Sequence, residues 1–191
     1  MGSEMCIRDR YNGVRDFFAS RGITLPEGDP SDGPAAQTIC GLGNRKNDLF
    51  NTVLARDGIQ PYPGSRRWVD RLHESGMAMA VVSSSRNAAA VLKAAGMVED
   101  FSVLVDGNRS KTERLPGKPA PDTYLRGAEL LGVPAEQCVV VEDAVSGVRA
   151  GAAGGFGMVL GVNRGVGADR LREAGADRVV DDLDEMVEEM A

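Results

Sequence analysis

The sequence repeats one local order four times: a helical stretch that contains leucine, then a glycine, then a short apolar run. The glycines that close the helical stretches are Gly76, Gly96, Gly132 and Gly175. Glycine adopts the left-handed backbone that commonly ends a helix, and runs of β-branched residues are typical of strands. The alternation predicts an α/β fold with a doubly wound parallel core of the Rossmann type. The predicted strands lie near residues 78–82, 101–105, 138–142, 156–160 and 177–180.

The first third of the chain has a different pattern. Residues 11–62 show helical spacing of apolar residues and no strand-like run, so we expect a small helical domain. Asn44 is the expected N-cap of its second helix. A segment with two prolines then leads into residues 63–191, the expected α/β domain. Residues 1–10 lack periodicity and are interpreted as a non-native or disordered tail.

Composition excludes several classes of function. The net charge of −6 argues against a nucleic-acid or anionic-membrane partner, and no apolar run approaches the roughly 20 residues that span a bilayer. Three scattered cysteines and the absence of a signal-peptide pattern predict a cytoplasmic protein with reduced thiols. The single histidine, His73, is expected on a helix surface, which leaves no histidine-based triad.

Two polar clusters precede the acidic part of the expected site. Ser83 to Asn87 follow the first predicted strand, where hydroxyl and backbone N–H groups favour an anion site; the alternative is a serine helix cap. Lys118 lies between Gly117 and two prolines that would fix its charge at the sheet edge; the alternative is a solvated lysine. The spacing around Lys118 does not match a P-loop.

The run from Cys138 to Val141 predicts a buried strand that ends at two adjacent carboxylates, Glu142 and Asp143. Ligands of open parallel sheets gather at the carboxyl ends of strands, and Mg²⁺ would offset the two negative charges. The alternative is that Asp143 caps the following helix. A hydroxyl, a lysine and an acidic pair together favour phosphoryl transfer, which depends on positioning and charge neutralisation.

The three clusters resemble motifs two, three and four of the haloacid dehalogenase (HAD) superfamily, and most of all its beta-phosphoglucomutase-like branch. The matching segments are Val82–Asn87, Gly117–Asp122 and Val141–Ala150. The resemblance covers about residues 11–191. Pro61–Gly64 is similar to the link from the family's helical cap into its core, and Gly41–Lys46 is similar to the cap loop that contacts substrate.

The resemblance implies a HAD-like core with a partial helical cap. It also implies Mg²⁺-dependent phosphoryl transfer, as a phosphatase or a phosphomutase, through an aspartyl-phosphate on a small phosphorylated sugar or similar metabolite. Ser83 would hold the phosphoryl group, Lys118 would neutralise its oxygens and Asp143 would ligate Mg²⁺. Glu142 would be a further ligand of the metal, or would accept a hydrogen bond from a group that supports the metal ligands. The residues that would face substrate or a second phosphate are Ser84, Ser85, Arg86 and Asn87 in the core and Arg45 in the cap.

One part of the family pattern is missing. The nucleophile belongs to an Asp-x-Asp that follows the first core strand, whereas only Asp9 precedes the helical domain here. We therefore expect a truncated reading frame, an inactive and poorly soluble chain, and unpaired edges on the strands that end at Ser83 and Glu142. Asp182-Leu-Asp184 also spells Asp-x-Asp, but the acidic first turn of a last helix explains it better than a circular permutation.

Two other classes of function stay open on the sequence. One is a non-catalytic phosphate- or metal-binding module, or a degenerate family member. The other is a receiver-like phosphoacceptor with Asp143 phosphorylated, which is disfavoured because Ser83 and Lys118 precede the acidic pair. The resemblance implies a monomer for the full-length protein, and it leaves phosphatase and mutase undivided.

Overall fold

The computed structural model describes residues 10–189. The tail predicted over residues 1–10 therefore lies outside the described residues, with Cys6 and Asp9, except for Arg10. The chain divides into two compact units, a helical unit that ends at Ile59 and an α/β unit that begins at Gln60. None of the described helices is both long enough and apolar enough to cross a membrane.

The helical unit contains α1 (Arg10–Ala19) and α2 (Ile39–Asp57). Helix α2 begins earlier than predicted, because the Thr38 hydroxyl accepts a hydrogen bond from Gly41 N at 2.9 Å and caps it. Asn44 lies inside the helix, so its predicted role as N-cap is wrong. Gly43 weakens the helical signal in the sequence but is needed for packing, since a Cβ there would lie 2.7 Å from the Tyr11 ring.

The segment Gly41–Lys46, which the resemblance presented as a cap loop, is likewise helical, because it forms the first turns of α2. Arg45 is an exposed residue of this helix. The helix ends as predicted at Gly58, whose φ of +67° is left-handed and whose N–H donates to Leu54 O.

The α/β unit alternates helices with short strands. Its helices are α3 (Pro63–Glu74), α4 (Ala88–Ala94), α5 (Gly107–Thr112), α6 (Asp122–Leu131), α7 (Val145–Ala153), α8 (Ala168–Glu173) and α9 (Asp184–Glu189). Its strands are β1 (Ala80–Val82), β2 (Val103–Val105), β3 (Val139–Glu142), β4 (Met158–Val162) and β5 (Arg178–Val180). Short 3₁₀ turns lie at Val98–Asp100 and Ala135–Gln137.

The predicted α/β pattern is confirmed, with one strand displaced. Strand β4 lies two residues later than expected at both ends, because Gly155 takes a φ of +65° and Phe156 packs against the core before the strand starts. Strands β1 and β2 also begin two residues late but end where expected. The four glycines that were expected to close helices all have positive φ, between +67° and +107°.

The strands are parallel and form two separate groups. Strand β1 pairs with β2, and β4 lies between β3 and β5. Within residues 10–189, β1 and β3 are not hydrogen-bonded to each other, which agrees with the unpaired strand edges that we expected. Helix α6 packs on β1 and β2, while its Tyr124 side chain joins the buried cluster of β3 and β4 that includes Val140 and Val159.

Candidate functional site

The carboxyl ends of the strands carry most of the predicted functional residues. Ser83 follows β1, and Glu142 and Asp143 stand where β3 ends. Lys118 lies in the loop before α6, with a cis peptide bond to Pro119. Lys118 and Glu142 thus meet at the carboxyl end of β3, a position where open parallel sheets bind ligands, while Ser83 lies at the carboxyl end of a strand in the other group.

Lys118 and Glu142 form the central contact of the candidate site. The Lys118 Nζ atom lies 2.6 Å from Glu142 Oε2, and the two side chains are only 13% and 12% exposed. Lys118 Nζ also donates to the Tyr124 hydroxyl at 2.8 Å, and that hydroxyl donates to Glu142 Oε2 at 2.5 Å. Lys118 is thus a fixed, partly buried charge, which argues against the alternative of a solvated surface lysine.

Glu142 also holds the start of helix α7. Its Oε1 atom accepts from Asp143 N at 3.2 Å and from Ala144 N at 3.1 Å. The N-cap position is Ala144, whose side chain cannot accept a hydrogen bond. The alternative in which Asp143 caps α7 is therefore wrong: within the described chain α7 has no side-chain cap, and Glu142 instead binds the two N–H groups that precede the helix. Asp143 is an exposed residue.

The two neighbouring carboxyl groups have opposite pKa shifts. Burial tends to raise the pKa of Glu142, but Lys118, Tyr124 and the Ala144 N–H favour the charged form more strongly and lower it below its usual value. Asp143 is exposed as a residue, but its carboxyl group is partly desolvated; this desolvation and the adjacent Glu142 raise its pKa, and the positive charge of Arg164 opposes that rise. The site thus favours one negative charge more than two.

The serine loop after β1 is shaped by its own hydrogen bonds. Ser83 Oγ accepts from Ser85 N at 3.2 Å, and Ser85 Oγ accepts from Asn87 N at 3.1 Å. These bonds lie within the loop, and among the described residues helix α4 has Asn87 at its N-cap with no side-chain cap, so the alternative of a serine helix cap is wrong. Each hydroxyl group keeps a proton to donate. Ser84, Ser85 and Arg86 are exposed.

The start of helix α5 anchors this loop. Gly107 N donates to Ser85 O at 3.1 Å, and Asn108 Nδ2 donates to Arg86 O at 3.0 Å. Asp106 Oδ1 accepts from Asn108 N and Arg109 N and so caps α5. The sequence reasoning missed this support, because nothing local links residues 106–108 to a loop 20 residues earlier.

The structure brings together some of the predicted residues. Lys118 contacts Glu142, whereas Ser83 accepts a hydrogen bond from Ser85 N and donates its own N–H to Val105 O. Arg45 belongs to the helical unit, so its role stays a prediction. Tyr124 was not predicted, although a tyrosine on the first turn of a helix six residues after Lys118 needs a hydroxyl partner if it is buried.

The described residues fit a magnesium ion only in part. Across residues 10–189, no group of three or more His, Cys, Asp or Glu side chains lies close enough to hold a metal. Four donors already occupy the Glu142 carboxylate, which leaves Asp143 as the exposed carboxylate of the pair. Mg²⁺ is commonly bound by one or two carboxylates together with water and phosphate oxygens, so a single ligand from Asp143 is compatible with such a site. The assignment of Glu142 and Asp143 as metal ligands stays a prediction.

Comparison with known proteins gives a consistent family. The family model for haloacid dehalogenase-like hydrolases matches residues 4–155. A beta-phosphoglucomutase of Mycobacterium tuberculosis is 48% identical over 183 residues, which cover 94% of this chain and 70% of that protein. Hexitol phosphatase A of Escherichia coli is 39% identical over 132 residues, or 68% of this chain and 57% of that protein.

The same relationship holds for solved structures. The crystal structure of a putative beta-phosphoglucomutase from Thermotoga maritima superposes with a TM-score of 0.70 at 25% identity. The match covers 94% of this chain and 76% of that one. Both the sequence and the fold therefore resemble proteins of one enzyme family.

Proposed function

We propose, because this chain belongs to the haloacid dehalogenase-like hydrolase family, that its site serves phosphoryl transfer from or within a small phosphorylated sugar. The observation that carries the proposal is the Lys118–Glu142 pair at the carboxyl edge of the strands. A lysine that is 13% exposed and held by two partners has a fixed position for an anion. The relatives named as a phosphoglucomutase and a hexitol phosphatase support a sugar phosphate as the ligand.

The proposed roles follow from hydrogen-bond capacity. An ammonium group has three protons, and the two acceptors of Lys118, Glu142 Oε2 and Tyr124 Oη, lie on one side of it, so at least one N–H remains for a phosphoryl oxygen. The Ser83 hydroxyl accepts from Ser85 N, so its own proton can also be donated to phosphate. Mg²⁺, with Asp143 as its proposed ligand, would supply further charge neutralisation at the same oxygens.

We also propose that the 191-residue chain binds phosphate without turning it over. Asp182 and Asp184 have structural partners: Asp182 Oδ1 accepts from Asp184 N at 3.1 Å, and Asp184 pairs with Arg67 at the start of α9. This supports the interpretation of the Asp-Leu-Asp segment as a helix start rather than a nucleophile. Asp143 is then assigned to the metal and not to covalent chemistry.

Calorimetric titration with inorganic phosphate in Mg²⁺ tests the lysine. Wild type is expected to bind, and Lys118→Met, which keeps the length of the side chain, is expected to bind at least about tenfold more weakly because a charge-assisted hydrogen bond is lost. Lys93→Met is the matched control, since Lys93 is an exposed lysine of α4. Equal binding by wild type and Lys118→Met would contradict the proposal.

A second measurement separates this function from a non-catalytic binding module. Phosphoryl transfer predicts that Mg²⁺ tightens phosphate binding and that Asp143→Asn removes this effect. A module that binds phosphate only through Lys118 and the serine loop would show the same affinity with and without Mg²⁺. Release of p-nitrophenol from p-nitrophenyl phosphate by the 191-residue chain would refute its proposed inactivity.

A further inference from the structure

We infer that Tyr124 is the positioning residue for Lys118: it fixes the ammonium group so that one N–H stays available to a phosphoryl oxygen. The inference rests on the proposed function, because it assigns to a buried tyrosine the task of preparing the lysine for an anion. Tyr124 lies on the first turn of α6 and is 7% exposed.

The ring of Tyr124 is fixed independently of its hydroxyl group. It packs in the buried cluster with Val140 and Val148 and makes an edge-to-face contact with Phe156, with centroids 6.0 Å apart and planes at 76°. The ring face also lies 4.4 Å from Lys118 Nζ. Packing therefore determines where the hydroxyl oxygen is, before any hydrogen bond is counted.

The direction of the two hydrogen bonds at the hydroxyl follows from chemistry. An ammonium group can only donate and a carboxylate can only accept, so Tyr124 Oη accepts from Lys118 at 2.8 Å and donates to Glu142 at 2.5 Å. The hydroxyl thereby shares Glu142 Oε2 with the lysine. Part of the carboxylate's hydrogen-bonding capacity is taken by a neutral donor, and the ammonium group gains a second, neutral acceptor.

Two fixed acceptors also fix the orientation of the ammonium group. The two acceptor oxygens are only 2.5 Å apart, so both lie on the same side of the Lys118 ammonium group, and at least one of its N–H bonds points away from them. Without the hydroxyl, the group can rotate about its Cε–Nζ bond and interact with Glu142 alone. Phosphate would then have to compete with Glu142 for a less ordered cation, and binding would lose the advantage of preorganisation.

Tyr124→Phe tests the inference because it removes the hydroxyl and keeps the ring. Calorimetric titration with inorganic phosphate should show about tenfold weaker binding than wild type, the effect of losing one hydrogen bond to a charged group. Leu171→Val is the matched control for packing: Leu171 of α8 is fully buried in the same cluster, so its truncation should lower the thermal midpoint and leave phosphate affinity unchanged. Equal phosphate affinity of wild type and Tyr124→Phe would overturn the inference.

If the wild type does not bind phosphate, the proposed function is refuted but the role of Tyr124 is not. A second measurement, which does not depend on phosphate binding, then tests the inference. Acetylation of the intact 191-residue chain, followed by mass spectrometry, gives the rate at Lys118 relative to the exposed Lys93. Tyr124→Phe should raise this relative rate several-fold, since one of two acceptors is gone, whereas Leu171→Val should not. An unchanged rate at Lys118 in Tyr124→Phe would also overturn the inference.

Discussion

Gly147 of helix α7 leaves the space that the Glu142 side chain occupies. A Cβ atom at this buried glycine would overlap the Cγ, Cδ and Oε2 atoms of Glu142. Backbone strain is not the issue, because Gly147 has an ordinary helical conformation. Gly147→Ala should therefore displace the Glu142 carboxylate from Lys118 and from Tyr124, and destabilise the α/β unit.

The magnitude follows from the contacts that would be lost. Breaking a fully buried ion pair costs about 3–5 kcal/mol, and this pair keeps a little exposure, so we take about 2–4 kcal/mol for the displacement. Alanine is favoured over glycine in a helix by about 1 kcal/mol, which offsets part of the loss. The expected net loss in free energy of unfolding is about 1–3 kcal/mol, or a Tm lower by about 3–10 °C for a chain of this size.

Urea unfolding followed by circular dichroism measures this difference. The matched control is Gly13→Ala, because Gly13 is also inside a helix but has no other group within 4 Å of a Cβ, so the substitution should be neutral or stabilising. Gly147→Ala with wild-type stability would refute the view that Glu142 must lie over the first turn of α7.

Two further predictions concern the residues that support the site. Burial and the negative charge of Glu142 raise the pKa of Tyr124 above its ordinary value. The stability that protonated Tyr124 contributes should therefore be complete below about pH 10 and be lost as the pH rises further. Absorbance at 295 nm, which follows tyrosine ionisation, should lose its highest-pH phase in Tyr124→Phe. Asn108→Ala should speed amide hydrogen exchange in residues 83–87, because the loop loses its hydrogen bond from Asn108 Nδ2 to Arg86 O, while the free energy of unfolding falls by no more than about 1.5 kcal/mol. Unchanged exchange in the loop would show that Gly107 alone anchors it.

Local signals in the sequence predicted most of the fold. The strands and the helix-ending glycines could be placed because valine-rich runs and left-handed glycine turns are determined by neighbouring residues. Helix α2 was placed too late for the opposite reason: Gly41 and Gly43 lower helix propensity, and they are explained by close contacts with Ala36 and Tyr11, respectively. Propensity describes an isolated segment, whereas a close helix contact overrides it.

The candidate site was predictable in its residue types but not in its connections. Lys118, Glu142 and Asp143 were identified from their positions at the ends of predicted elements. The sequence could not show that Glu142 binds the N–H groups that precede α7, or that Tyr124 hydrogen-bonds to both Lys118 and Glu142. Those contacts depend on how α6 packs on the strands, which is a property of the tertiary structure.

The division of the strands into two groups links ligand binding to the stability of the α/β unit. Helix α6 packs on β1 and β2, whereas Glu142 belongs to β3. The hydrogen bonds from Lys118 and Tyr124 to Glu142 therefore connect the group of strands under α6 with the group that contains β3. The same residues that we propose bind an anion thus also stabilise the contact between the two groups of strands. An anion that binds the Lys118 ammonium group will compete with Glu142 for it and will change the stability of this contact. Ligand binding and the stability of the α/β unit therefore depend on the same hydrogen bonds.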